Sequence, residues 1–172
     1  MNLAVNYSPQ AADLLRGGHI HVDLFKCPDW DDLLAEAQAV APVYVHFPLV
    51  TGELQDADLA RVETLLTKTD TPYVNVHLKA TNLHFPNMKL NTRAPHDVQQ
   101  VTDWLITEVG RLTTHFGEKR VIAENLIYRG YTLDTLRPAV LPEVVSAVVR
   151  ETGCGMLLDL SHGPHRRALS GG

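Results

Sequence analysis

The sequence predicts an α/β fold of repeated strand–helix units, with a parallel sheet and helices packed outside it. Three observations carry that prediction. Six short apolar or β-branched runs alternate with amphipathic stretches of helical period along the chain. The run Met156-Leu157-Leu158 is continuously apolar, which suits a strand covered on both faces. With 172 residues, 45% of them hydrophobic, the chain can bury a sizeable core as one domain.

Each element has its own signal. Leu3-Ala4-Val5-Asn6 reads as a first strand, and Ser8-Pro9 as an N-cap with proline at the first helical position, opening a helix over Gln10 to Arg16 that stops at Gly17-Gly18. His19 to Phe25 alternates polar with apolar, so a second strand would point His21 and Asp23 to one face. Pro28-Asp29 opens a helix with Leu33, Leu34, Ala37 and Val40 on its apolar stripe. Val43 to Phe47 is the third strand, stopped by Pro48, with His46 at its carboxyl end. Leu54 to Lys68 reads as an amphipathic helix, and Tyr73 to His77 as a fourth strand with Tyr73, Asn75 and His77 on one face.

The connection from Leu78 to Pro95 is long enough to suggest a substrate loop, and it carries Lys79, His84, Lys89 and Arg93. Asp97 to Phe116 is a helix stopped by Gly117. Val121 to Leu126 is the fifth strand, with Glu124 inside an otherwise apolar run. A loop over Tyr128 to Thr135 precedes a helix within Leu136 to Thr152, and the sixth strand then delivers Asp159 and, three residues on, His162. The tail 163–172 has no apolar period, so a complete seventh strand is not expected and the sheet should be open.

Composition narrows the function classes. Net charge is -5 and pI near 5.9, so nothing steers the chain to nucleic acid. No run approaches the ~18 apolar residues of a membrane span, and the amino terminus lacks a signal-peptide layout; a soluble, cytoplasmic protein is the expectation. Cys27 and Cys154 form no CxxC and are expected to be reduced.

No GxGxxG or GxxxxGK[ST] motif follows any strand. A TIM-type (β/α) barrel explains the unusual residues better, because its reactive groups sit at the carboxyl ends of strands, where His46, His77, Glu124 and Asp159 all fall. Imidazoles with carboxylates are the ligand set for Zn, Mn or Fe. An ionised carboxylate leaving a dry strand needs a partner, since desolvation costs several kcal/mol, very roughly. Asp159 also suits a helix N-cap, and Lys79, Lys89 and Arg93 also suit a solvated loop.

The strand-end set, with His46 in VHFP, His77 in NVHLKA, Glu124 in AENL, and Asp159 with His162 in LDLSH, resembles the xylose-isomerase-like TIM barrel superfamily. That superfamily includes sugar and sugar-phosphate isomerases and epimerases, and endonuclease IV. The run from Val121-Ile122-Ala123-Glu124-Asn125 to Thr152-Gly153-Cys154-Gly155-Met156-Leu157-Leu158-Asp159 is also similar to the methanobactin-type multinuclear iron oxidases. Such barrels have eight strands and typically ~250 residues. The resemblance therefore implies an incomplete TIM-type barrel of about six βα units, a single partial domain over 1–172, with an open edge that an oligomer or a second chain would cover.

The resemblance implies metal ligands at His46, His77, Glu124, Asp159 and His162, and Glu124 as the catalytic proton carrier. The leading expectation is a metal-dependent isomerase or epimerase of a small sugar or sugar phosphate, with Lys79, His84, Lys89 and Arg93 toward substrate. The alternatives are a multinuclear iron oxidase acting on a peptide, an endonuclease IV-like phosphodiester hydrolase, and an inactive fragment.

Overall fold

A computed structural model describes residues 3–126 and 135–159. They fall into two compact units, 3–49 with 56–75, and 50–55 with 76–126 and 135–159. The architecture is mixed α/β. Among the described residues the strands form two three-stranded parallel sheets and no closed barrel.

In the first unit β1 (Ala4–Asn6), β2 (Leu24–Cys27) and β3 (Val43–Val45) pair in parallel, with Ala4 opposite Leu24 and Phe25 opposite Val43. Phe25, Val43 and Val45 are fully buried. The helices are α1 (Pro9–Arg16), α2 (Asp31–Gln38) and α3 (Leu59–Lys68). Ser8 caps α1 as its position predicts, its Oγ accepting the Ala11 N–H at 3.1 Å, and Pro9 opens the first turn.

Two element starts in this unit differ most from the sequence reading. Residues 19–23 precede β2 instead of forming it, because Asp23 is engaged elsewhere: its Oδ2 accepts the Leu3 N–H at 2.6 Å and its own N–H donates to the Leu3 carbonyl. His21 and Asp23 are therefore exposed residues of the approach, and β2 runs on to Cys27. Helix α3 starts at Leu59, not Leu54, because Asp58 takes the capping position and accepts the Arg61 N–H at 2.9 Å.

The second unit holds β5 (Val121–Glu124), β6 (Gly155–Leu157), α4 (Pro95–Phe116) and α5 (Pro142–Thr152), with 3-10 turns at Glu118–Arg120 and Arg137–Val140. Strand β4 (Val74–His77) neighbours β5 in its sheet, and β5 pairs with β6 through Glu124 opposite Leu157. Val101, Leu105, Val109 and Leu112 of α4 are buried at the spacing the sequence predicts, each contributing at most ~1.5–3 kcal/mol. Gly153 ends α5 at φ 69, a left-handed position that a side chain would strain. Among the described residues no helix is long and apolar enough to cross a membrane. His162, most of the expected loop at 128–135 and the tail 163–172 lie outside the described residues.

Candidate metal centre

Strand β4 has the sequence Val74-Asn75-Val76-His77, and its alternation puts two valines on one face and the two polar side chains on the other. Val74, Asn75 and Val76 are all fully buried. A buried carboxamide must spend its hydrogen bonds on the protein. The Asn75 Oδ1 accepts the Phe47 N–H at 2.8 Å, and its Nδ2 donates to the Phe47 carbonyl at 2.9 Å. This pairing fixes the amide orientation, since a backbone N–H can only donate. Nδ2 also lies 3.4 Å from the His46 Nε2.

His77 ends β4, and its Nε2 lies 3.3 Å from the Oε2 of Glu124 at the end of β5. The Glu124 side chain is only 2% exposed and that of His77 16%. A carboxylate this dry is costly, by several kcal/mol in rough terms, unless a cation or donor meets it. The neighbouring backbone is well ordered: Leu78 N–H donates to the Glu124 carbonyl at 3.0 Å, and Thr51 N–H donates to the His77 carbonyl at 3.1 Å.

His77 and Glu124, both in the second unit, each offer a ligand atom that a metal ion could take. Two atoms bound to one ion at ~2.1 Å with tetrahedral geometry lie roughly 3.4 Å apart. The 3.3 Å between His77 and Glu124 fits that spacing. An imidazole with a carboxylate also fits Zn, Mn or Fe by donor type.

Asp159 lies beyond its strand. Strand β6 ends at Leu157, two residues earlier, and the Asp159 backbone is held by Asn125 instead. The Asn125 Nδ2 donates to the Asp159 carbonyl at 3.0 Å, and the Asp159 N–H donates to the Asn125 Oδ1 at 2.8 Å. Of the expected substrate residues, Lys79 pairs with Glu53 at 3.5 Å. His84 stacks on Trp104 with ring centroids 4.5 Å apart and accepts the Thr81 N–H on Nδ1 at 3.2 Å. Lys89 and Arg93 are exposed.

Sequence reasoning missed Asn75 as a partner of His46, Asn125 as the holder of Asp159, and buried Glu108 on α4. Asn75 left a signal, a polar residue two places before a strand-end histidine; Glu108 left none that distinguishes it from a solvated helical glutamate. No protein-family model matches the chain, and no curated protein matches it significantly.

Proposed function

We propose that the chain is a metal-dependent enzyme of the xylose-isomerase-like (β/α) barrel type, present as a partial barrel of about six βα units, that isomerises or epimerises a small sugar or sugar phosphate. The observation that carries this is the buried Glu124 carboxylate beside His77. His77 and Glu124, with His46 as the sequence resemblance implies, would hold the ion, a Zn, Mn or Fe. When bound, that ion supplies Lewis-acid polarisation of a carbonyl or hydroxyl pair. Glu124 moves the proton between adjacent carbons. Lys79, with its flexible ammonium, can leave Glu53 for a phosphate, because an exposed ion pair of this kind is worth at most ~1 kcal/mol.

The test is conversion of aldose and ketose phosphates by protein reconstituted separately with Zn, Mn and Fe, before and after chelation. Chelator-sensitive isomerisation that Glu124→Gln abolishes is the expected result. Oxygen consumption by the iron form with no isomerisation would move the reading to an oxidase, and turnover that survives chelation would refute it.

A further inference from the structure

We infer that Glu108 is a positioning residue for His77, acting from helix α4 through the Thr51–Gly52 turn. The inference rests on the reading of His77 as a metal ligand. Glu108 is 4% exposed, unusual for a helical carboxylate. Its Oε2 accepts the Gly52 N–H at 2.9 Å, and its Oε1 lies 2.6 Å from the Arg111 guanidinium, so the charge is matched on one side while the other oxygen reaches the turn. Gly52 sits at φ 87, and a side chain there would collide with the His84 ring at 2.3 Å. The position thus favours glycine, and Glu108 holds its N–H in place.

The next residue back transmits that placement. Thr51 is fully buried and donates its N–H to the His77 carbonyl at 3.1 Å. Its hydroxyl accepts the Lys79 N–H at 2.8 Å and donates to the Lys79 carbonyl at 2.7 Å, so one side chain clasps the backbone two residues beyond His77. Val50 adds a parallel bridge to His77 itself. The turn thus supplies, for the end of β4, the backbone bonds that a neighbouring strand would supply. A carboxylate on an outer helix fixes a turn, the turn fixes the backbone of His77, and the imidazole is held facing Glu124. Partners of this kind outside the ligand set commonly change metal affinity ~10 to 100-fold.

The test uses the full chain with Glu108→Leu, which keeps bulk and removes the acceptor, and Glu108→Gln, which keeps an acceptor for Gly52. Zn affinity is measured by competition with a chromophoric chelator, and the His77 imidazole is followed by NMR in the metal-free protein. Expected are a Zn affinity lowered ~10-fold or more and shifted His77 resonances in Glu108→Leu, with both restored to within ~3-fold of wild type in Glu108→Gln. Wild-type affinity and unmoved His77 resonances in Glu108→Leu, even with lowered thermal stability, would overturn the inference and leave the metal site standing. If wild type binds no Zn, Mn or Fe, the metal reading fails by itself, and the His77 resonances still decide the positioning role. Should Glu108→Leu not fold, Thr51→Val replaces it, with loss of Zn affinity supporting the relay and unchanged affinity overturning it.

Discussion

The strand ends of the first unit and those of the second use polar residues for different purposes. In the first, Asp23 fastens the start of β1 through the Leu3 N–H, His21 is exposed, and β2 finishes on buried Cys27. In the second, β4 and β5 finish on His77 and Glu124, which face each other at 3.3 Å with both side chains largely shielded from solvent. The difference teaches that polar and apolar residues alternating before a strand report only an exposed approach. A titratable residue at the end of a run whose neighbours are all buried reports a site.

The largest test of that contrast is removal of a ligand. His77→Ala should weaken Zn binding at least ~100-fold, whereas His21→Ala should leave it within ~2-fold, both measured by chelator competition. A comparable loss in His21→Ala would erase the distinction between the two kinds of strand end. Asn75→Ala comes next. It leaves the Phe47 N–H and carbonyl buried without their side-chain partner, so urea denaturation should show a loss of ~1–3 kcal/mol, and metal affinity should fall as well. Stability lost without any change in metal affinity would reduce Asn75 to a packing role.

Asp159→Ala sharpens the contrast from the other side. Because Asp159 lies two residues past the end of β6 with its backbone held by Asn125, its removal should change single-metal affinity less than ~3-fold. Loss equal to that of His77→Ala would bring it back as a ligand of the same ion.

Cys27 gives the smallest effect. Burial pushes its thiol up to about 11. The neutral thiol is favoured in the folded state, so its contribution to stability is complete below the unfolded thiol's range near ~8.5 and is lost as pH rises through the folded value. Alkylation of Cys27 at pH 8 should therefore be slow in native protein and fast in urea; rapid native alkylation would show the end of β2 to be open.

Much of the fold was legible because its signals are local. Ser8-Pro9 announces α1, the stripe Val101, Leu105, Val109 and Leu112 announces α4, and Gly153 announces the end of α5. His19 to Phe25 misled because period-two alternation cannot tell a strand from an extended approach, and the Asp23 to Leu3 bonds that decide it join residues twenty apart. Asp58 won over Leu54 as the start of α3 because capping by a carboxylate outweighs one more apolar position. The candidate site was legible in part for a related reason. His77 and Glu124 are anomalies in their own strands and His46 directly follows β3, whereas the hold of Asn125 on Asp159, and of Glu108 on Gly52, spans 34 and 56 residues and leaves no mark in the pattern.

The most direct test of the central claim is the metal content of the purified protein. Wild type and Glu124→Ala are loaded with Zn, Mn and Fe, dialysed, and compared by elemental analysis, with circular dichroism checking that the helices persist. The account predicts close to one bound ion of at least one of these metals in wild type and almost none in Glu124→Ala, with unchanged spectra. Equal metal content in the two proteins would contradict it.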